Sequence, residues 1–516
     1  MPVAMHAKTL MVMGAASDVG KSVVVTALCR AFARGGVRVA PFKSQNMSNN
    51  AAVCPGGGEI GRAQAVQAAA CGLLPTVDMN PVLLKPETDR RCQVVIHGRP
   101  RFQMEAREYE RYRAAAWPAI VQSYQTLARN FELIVIEGAG GAAEINLRHR
   151  DMVNWAIAEL ADAPVLLLGD IDKGGVFAAL VGTVALLSPG ERERIKSFVI
   201  NKFRGDPVLL EPGLRMLEDR TGIPVLGVLP YLENHGIPQE DAVVLDGPTG
   251  RRGDAAITVG VIHLPRIANF TDFAPLADEP DVAVHYLRDP FAAPRVDILI
   301  VPGTKNTVAD LQWLRAAGWE DFLVRHRRDG GWVVGVCGGY QMLGKRIVDH
   351  ARIESDQPET AGLGLLEIET IFQREKITAR VGAIHLATGL PVTGYEIHAG
   401  RVVGVSGSDA LFRIIERDGV NANDFEGIRS ADGHIMGTSL HGLFDTAGFR
   451  RNFIAGVRQA KGLPALAARA AADPNADRST ACDRVADLLE AHVDMSHIAA
   501  LAGVNWQGPL RQGGVR

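Results

Sequence analysis

The sequence predicts an α/β protein with two doubly wound domains, each built on a mainly parallel sheet. Short β-branched runs alternate with helical stretches along most of the chain, which is the pattern of a parallel sheet covered on both faces. The alternation breaks once, over residues 232–255, in a stretch rich in Gly, Pro and charge that suits a linker. The length of 516 residues is enough for two large domains or three smaller ones.

In the first half we expect a strand over residues 9–13, a glycine-containing loop, and a helix over 21–34 that ends at Gly35-Gly36. The next strand is expected at 37–42. Further buried strands are predicted at 133–136, 165–168, 198–200 and 225–228, with helices at 152–160 and 175–187 between them.

In the second half the same reasoning predicts strands at 257–264, 298–301, 332–336 and 433–438. After residue 450 the pattern is helical, and it ends in GPLRQGGVR, which suits a loose tail. We therefore predict a first domain over 1–245, a second over 256–450, and a helical C-terminal extension over 451–516.

The composition excludes several classes of protein. With 47% hydrophobic and 22% charged residues the chain is neither disordered nor a coiled coil, and its net charge of −3 provides no basic field for nucleic acid or a membrane surface. The apolar runs are shorter than the ~20 residues of a membrane span, and we expect no signal peptide. The six cysteines form no C-x-x-C pair, which predicts reduced thiols in a cytoplasmic protein. The sequence leaves open whether the protein forms a homo-oligomer.

The segment from Gly14 to Ser22 has the features of a phosphate-binding loop. It lies between a predicted strand and a predicted helix, and it reads G-x5-G-K-S, one residue longer than the common Walker A pattern. Backbone N–H groups from Gly14 to Gly20 would face one point beside the positive end of the helix dipole. Lys21 can reach terminal phosphates, and the Ser22 hydroxyl can ligate Mg²⁺. The alternative is a glycine-rich turn with a surface lysine.

The longer loop resembles that of the dethiobiotin synthetase group of ATP-dependent enzymes. Two more segments resemble this group: Pro41-Phe42-Lys43, and the run Glu137-Gly-Ala-Gly-Gly. The resemblance implies ATP as cofactor, a lysine (Lys43) beside the phosphates, and Mg²⁺ held by Glu137. A carboxylate at the C-terminal end of a sheet strand faces the ligand crevice, which supports this role for Glu137. The alternative is that Glu137 is a solvated carboxylate in a loop.

Two more polar residues follow predicted strands. Asp170 is a second Mg²⁺ candidate, and an equal alternative is that Asp170 and Asp172 cap the next helix. Asn201 resembles the adenine-reading Asn of the same group of enzymes, with a turn-forming role as the alternative.

The segment around Cys337 is the most specific signal in the chain. An apolar strand runs directly into Cys337-Gly338-Gly339 and then into a helix, which is the pattern of a nucleophile elbow. A helix N-terminus at this point lowers the pKa of a thiol and supplies N–H donors to an oxyanion. The glycines on its C-terminal side argue against a merely structural, buried cysteine.

This segment resembles the G-[VI]-C-x-G-x-Q-x-L-G signature of class I glutamine amidotransferases. The resemblance implies that Cys337 is the nucleophile and His441 its base, with oxyanion and glutamine contacts from Gly303, Gly338 and Gln341. The family usually has a Glu two positions after the His, and here Leu443 stands there. Either Glu396 or a backbone carbonyl could orient the imidazole, and His398 could be a binding or a packing residue.

The two chemistries imply one reaction class, the ATP-dependent amidation of a carboxylate. A carboxylate has no leaving group at neutral pH, so ATP must convert it to an acyl phosphate that ammonia from glutamine displaces. A partitioning ATPase with a degenerate appendage is a different interpretation, which the intact Cys337 and His441 oppose. An amidase of a cell-wall precursor is another, but its synthetase partner would normally have a different ligase fold.

The combination of a phosphate loop and a glutaminase segment in one chain resembles the corrinoid amidotransferases, most closely the cobyric acid synthase family. Four further segments resemble the same family: SQNMSNN, GEIGRAQ, MNPVLLKP and GDIDKGGVF. The resemblance covers essentially the whole chain. It implies amidation of the b, d, e and g side-chain carboxylates of adenosylcobyrinic a,c-diamide, with one ATP and one glutamine for each, and with glutamine and a corrinoid as the small-molecule partners. The alternative within this family is cobyrinic acid a,c-diamide synthase.

Overall fold

The first half of the chain folds around a six-stranded, all-parallel sheet with the order β12-β11-β10-β1-β9-β2. In this computed structural model the described residues are 7–88, 90–105, 108–232, 235–238, 255–405, 407, 409–465 and 474–508. The strands of this half are β1 (Lys8–Gly14), β2 (Val39–Phe42), β3 (Gln45–Met47), β4 (Ala51–Val53), β5 (Glu59–Gly61), β6 (Val82–Pro86), β7 (Arg91–Ile96), β8 (Arg99–Glu105), β9 (Leu133–Glu137), β10 (Val165–Asp170), β11 (Ile195–Phe203) and β12 (Val225–Pro230). Its helices are α1 (Lys21–Arg34), α2 (Arg62–Ala70), α3 (Tyr109–Asn130), α4 (Trp155–Leu160), α5 (Val176–Leu186), α6 (Pro189–Arg194) and α7 (Pro207–Thr221).

The central strands of this sheet are apolar runs because both of their faces are covered. Met11, Val12 and Met13 are fully buried, as parallel strands between helices require. Helix α1 begins and ends where the sequence predicts, and Gly36 beyond its end has a φ of 82°. The predicted helix at 152–160 begins only at Trp155, because the Asp151 carboxylate accepts hydrogen bonds from the first free N–H groups, including Trp155 N at 2.6 Å.

A polar insertion between β2 and β9 was not predicted. It contains a four-stranded sheet with the order β3-β6-β7-β8 and the two-stranded pair β4-β5. Strands β3, β4 and β5 have only three residues each, and two of them contain Gln, Asn or Glu. Such short runs carry no measurable period-two pattern, so the sequence does not reveal them.

The second half is built on an eleven-stranded mixed sheet in which β14-β13-β15-β16-β23 form a five-stranded parallel part and β17 also pairs in parallel with β19. Its strands are β13 (Ile257–Ile262), β14 (Val282–Leu287), β15 (Ile298–Val301), β16 (Trp332–Val336), β17 (Arg346–Val348), β18 (Glu359–Ala361), β19 (Glu369–His385), β20 (Pro391–Val403), β21 (Ala410–Arg417), β22 (Val420–Arg429) and β23 (Ile435–Thr438). Its helices, with those that follow, are α8 (Ala274–Ala277), α9 (Thr307–Ala316), α10 (Trp319–Arg328), α11 (Gly338–Leu343), α12 (Ala447–Ala460), α13 (Pro474–His492) and α14 (Met495–Ala502).

The C-terminal helices return to the first half of the chain. Helix α13 lies along α1, where Arg30 pairs with Asp483 at 2.7 Å and Arg34 with Asp487 at 2.7 Å. Leu489 and Ile498 belong to the same apolar core as the residues of α1. The predicted linker lies mostly outside the described residues, as does the end of the predicted tail from residue 509. Of the helices in the described ranges, none has the length and apolar character needed to cross a membrane.

Candidate active site

The loop after β1 has the geometry of a phosphate cradle. Gly20 has a φ of 92°, a conformation that favours glycine, and helix α1 begins directly after it at Lys21. The Lys21 ammonium donates to Gly140 O at 2.9 Å and approaches Ala16 O at 3.4 Å. It therefore lies across the loop, at the N-terminus of α1 where anions bind.

Glu137 is buried beside this loop and is not a solvated loop carboxylate. The sheet register pairs Phe42 with Ile136, so Lys43 and Glu137 leave neighbouring strands side by side. Lys43 Nζ and Ser22 Oγ each donate to Glu137 Oε1 at 2.9 Å, and Gln67 Nε2 donates to Oε2 at 2.6 Å. Glu137 is 1% exposed, so this buried charge depends on its donors.

A cavity of about 820 Å³ opens over the loop. Its lining includes Lys21, Ser22, Lys43 and Glu137. At its mouth are apolar side chains that face solvent: Met47 is 55% exposed, Ile145 53% and Leu147 49%. Two arginines, Arg148 and Arg150, also line it. The cavity thus joins a phosphate site to an apolar rim with two arginines, of which Arg148 pairs with Glu191.

The Ser22 and Glu137 oxygens are 2.9 Å apart and present the hard donors that Mg²⁺ prefers. Within the described part of the chain no three His, Cys, Asp or Glu side chains form a metal cage. Mg²⁺ does not need one, since it binds through one or two carboxylates plus substrate phosphates. The hydroxyl and the carboxylate therefore fit a magnesium ion bound together with a nucleotide.

Asp170 and Asn201 are engaged elsewhere. Asp170 accepts from Lys202 Nζ at 2.8 Å and from Asp172 N at 2.9 Å, and it is not among the residues that line the cavity. Helix capping by Asp170 and Asp172, the alternative to a magnesium role, is wrong, because α5 begins at Val176 with Gly175 as its cap. Asn201 Nδ2 donates to Val19 O at 2.8 Å, so it braces the phosphate loop.

Cys337 lies where β16 meets α11. Its φ of 49° and ψ of −108° are a strained conformation for a residue with a side chain, which is the mark of a nucleophile elbow. A Cβ on Gly339 would lie 1.9 Å from Val301 O, so only glycine allows this close turn. The register pairs Val336 with Thr438, which brings Cys337 and the segment that contains His441 to the same edge of the sheet.

Asp272 orients His441, and sequence reasoning missed it. His441 Nδ1 lies 2.6 Å from Asp272 Oδ2, both side chains are buried, and Gly442 N donates to Asp272 Oδ1 at 3.1 Å. Asp272 lies on a short 3-10 helix, Phe270–Phe273, that follows β13. It is one of 58 acidic residues and stands in no recognisable spacing to Cys337, so the sequence carries no signal for it.

Asp272, and neither Glu396 nor a backbone carbonyl, faces His441 Nδ1. Glu396 accepts from Arg417 Nε at 2.7 Å and approaches His398 Nε2 at 3.7 Å. These two cations offset the effect of burial and lower the pKa of Glu396 to about 2. Leu443 is 2% exposed and belongs to the apolar core, which explains why no carboxylate stands there.

The electrostatics of the pair favour a thiolate and an imidazolium. Burial alone would raise the pKa of Cys337, but the charge of His441 and its hydrogen bond outweigh burial and lower the pKa. Burial alone would lower the pKa of His441, but Asp272 and Cys337 raise it to about 10. Such a pair can supply a thiolate nucleophile and an imidazolium that gives up a proton.

Gly303 and Gly338 flank the thiol. A Cβ on Gly303 would lie 3.0 Å from His441 Cε1 and 3.7 Å from Cys337 Cβ, so glycine leaves this space open. Gly338 is the first residue of α11. Gln341 lines the pocket beside Cys337, and its Oε1 accepts from Thr307 at 3.0 Å.

Both halves of the chain form this small pocket of about 80 Å³. Lys85 and Glu87 come from the first half, and Lys305 and Lys376 from the second. Lys305 Nζ pairs with Glu87 Oε1 at 2.9 Å. His398 also lines it, with Nδ1 2.7 Å from Gly400 O.

A buried carboxylate ties the halves together next to the pocket. Glu59 is fully buried, and it accepts from Lys85 at 2.6 Å and from Lys376 across the interface. Burial alone would raise the pKa of Glu59, but the two ammonium groups lower it to about 2.

Two family models match the chain. Residues 10–241 match the CobQ/CobB/MinD/ParA nucleotide binding domain, and residues 258–449 match the CobB/CobQ-like glutamine amidotransferase domain. A cobyric acid synthase of Sorangium cellulosum (strain So ce56) is 49% identical over 97% of this chain and 100% of its own length. A cobyric acid synthase of Dehalococcoides mccartyi (strain CBDB1) is 46% identical over 96% of this chain and 99% of its own.

Proposed function

Since the chain belongs to the cobyric acid synthase family, and is thus an ATP-dependent, glutamine-hydrolysing amidotransferase of cobalamin biosynthesis, we propose that it converts adenosylcobyrinic a,c-diamide to adenosylcobyric acid. In this proposal it amidates the b, d, e and g side-chain carboxylates. Each amidation consumes one ATP and one glutamine.

One observation supports a link between glutamine hydrolysis and ATP-dependent amidation: two neighbouring residues of β6 line the two cavities. Leu84 lines the cavity over the phosphate loop, and Lys85 lines the pocket of Cys337. Because successive side chains of a strand point to opposite faces, the wall between the two cavities is one strand thick at this point. This supports direct use, at the phosphate site, of ammonia made at Cys337.

The geometry supports the following glutaminase reaction. The Cys337 thiolate attacks the side-chain amide carbon of glutamine, and the N–H groups of Gly303 and Gly338 stabilise the oxyanion. His441, held by Asp272, gives its proton to the leaving ammonia. Water then hydrolyses the thioester, with His441 accepting a proton, and glutamate leaves.

The synthetase half uses the phosphate loop. Lys21, Lys43 and the backbone N–H groups of the loop hold the phosphates while the carboxylate attacks the terminal one. Ser22 and Glu137 would hold the magnesium ion. Asp170 is a further candidate ligand, but its ion pair with Lys202 would first have to break. Magnesium supplies charge neutralisation of the phosphates. Asn201, which pairs with Asp170 in the sheet register, is proposed to contact the adenine.

The mouth of the large cavity supports a corrinoid substrate. A corrin ring offers apolar faces and a rim of acidic side chains, and the cavity mouth offers Met47, Ile145 and Leu147 together with Arg150. Monomeric proteins seldom expose clustered apolar side chains without a ligand for them. The rim lies beside the phosphate loop, where a bound carboxylate would meet ATP.

The test is to incubate the chain with the diamide, ATP and amide-¹⁵N glutamine, and to count labelled nitrogens by mass spectrometry. Four labelled amides are expected. Reaction at two carboxylates of cobyrinic acid, with none on the diamide, would instead favour cobyrinic acid a,c-diamide synthase. The variant Cys337→Ala should lose amidation from glutamine and retain it from ammonium salts. A folded variant that loses both would contradict the division of labour.

A further inference from the structure

The carboxylate of Asp272 is held by three donors, and one of them leads out of the amidotransferase half. Its Oδ2 faces His441 Nδ1 at 2.6 Å. Its Oδ1 accepts from Gly442 N at 3.1 Å and from the Tyr395 hydroxyl at 3.2 Å. Tyr395 is thus the side chain that secures the far oxygen of this carboxylate.

Tyr395 also holds the imidazole itself. Its ring stacks on that of His441 with centroids 5.2 Å apart and planes 17° from parallel. The two residues exchange backbone hydrogen bonds of 3.1 and 2.9 Å. Burial and the neighbouring carboxylates raise the pKa of Tyr395 well above its usual range, so the phenol keeps its proton and donates to Asp272.

The phenol oxygen accepts in turn from Arg62, the first residue of α2. The guanidinium carbon lies 5.0 Å from the centre of the Tyr395 ring. Arg62 belongs to the first half of the chain, and its position is set by that half: Arg62 N donates to Asn50 O at 3.0 Å, and Gly61 N donates to Asn80 Oδ1 at 2.9 Å. A cation of the synthetase half therefore ends the chain of hydrogen bonds that begins at His441.

We propose that Arg62 and Tyr395 are positioning residues of the glutaminase site, and that the synthetase half, through Arg62, completes the arrangement that orients His441. This rests on the proposed roles of Cys337 and His441. A cationic donor to the phenol oxygen polarises the O–H bond and strengthens its hydrogen bond to Asp272. The carboxylate then stays in the plane that the imidazole needs.

The first test compares Arg62→Met, Tyr395→Phe and the double variant by glutamate release, which needs no corrinoid. Loss of one hydrogen bond to a charged group predicts a fall in kcat of about ten- to a hundredfold in each single variant, with the KM for glutamine little changed. Because Arg62 acts through the phenol, the double variant should be no slower than the slower single variant. Additive losses would overturn the proposal.

The second test is the pH profile of kcat/KM. Removing a buried cation near the pair raises the pKa of the Cys337 thiol, so the acidic limb should move to higher pH in Arg62→Met and return towards its original position in Arg62→Lys. A merely structural role would lower the rate at every pH without moving the limb, and that result would overturn the proposal.

A matched control is Thr271→Val, which removes a different hydrogen bond across the same interface, Thr271 Oγ1 to Asn50 Oδ1 at 3.1 Å. It should leave the profile unmoved. Ammonia-dependent amidation and circular dichroism should be normal in all variants. If Cys337→Ala still releases glutamate, the proposed glutaminase site is wrong. If Cys337→Ala releases none but Arg62→Met releases glutamate as fast as the original protein, only the proposed role of Arg62 is wrong.

Discussion

Replacing Asp272 by Asn tests the assignment of the orienting carboxylate. The substitution keeps the size of the side chain but removes one of the two charges, those of Asp272 and Cys337, that raise the pKa of His441 to about 10. In the original protein three donors face the two oxygens of Asp272. Asparagine replaces one of these oxygens by an NH₂ group, which cannot accept, so at least one hydrogen bond is lost. The imidazole then loses both its stabilising charge and its preferred tautomer.

The magnitude follows from the contact. Both side chains are almost fully buried, so solvent screens their interaction little. At an effective dielectric constant of about 20, unit charges centred about 4 Å apart interact by about 4 kcal/mol. If that stabilisation of the imidazolium is lost in the transition state, turnover falls by about three orders of magnitude.

The assay is glutamate release under saturating glutamine, with ammonia-dependent amidation as the measure of an intact synthetase half. The comparison variant is Glu396→Gln, at the carboxylate that pairs with Arg417 and not with His441. It should remain far more active as a glutaminase than Asp272→Asn. A folded Asp272→Asn protein with near-original glutaminase turnover would refute the assignment, and an inactive Glu396→Gln protein beside it would transfer the role to Glu396.

Three further outcomes are expected. Lys21→Ala should lose amidation with either nitrogen source by about 10²–10³, because both routes need the acyl phosphate; unchanged ammonia-dependent turnover would contradict this. Alkylation of Cys337 by iodoacetamide should follow a pKa below that of an ordinary thiol, and glutaminase activity should fall at low pH as the thiolate protonates and again near pH 10 as His441 loses its proton. Leu443→Glu buries a charge in the core beside the site, so thermal unfolding should show destabilisation of several kcal/mol rather than a faster glutaminase.

The two glycine-flanked loops could be predicted because their chemistry is contiguous. In each, a buried strand, the reactive residue and the first turn of a helix follow one another within a few residues, so backbone geometry alone aims Lys21 and Cys337 at a ligand. Lys43 and Glu137 could be placed for a related reason, since both follow strands of one parallel sheet, whose carboxyl ends share an edge.

The polar insertion and the antiparallel strands β19–β22 could not be predicted in the same way. Strand β19 alternates buried and exposed positions only in part, because charged residues cover its open face and a register shift interrupts its pairing with β20. A solvated antiparallel sheet needs few apolar residues, so it leaves a weak pattern in the sequence.

By itself, the sequence determined the α/β class, and it predicted the phosphate loop and Cys337 from residues that are neighbours along the chain. It predicted His441 through the resemblance of its segment to the class I pattern. Only the tertiary structure decided which carboxylate orients His441, since Asp272 stands 169 positions away and reaches it through the packing of a 3-10 helix. It also decided that Arg62 and Glu59, from the first half, contact residues that form the cysteine site. Hydrogen bonds and ion pairs between distant segments depend on the folded positions of both partners, and no local pattern records them.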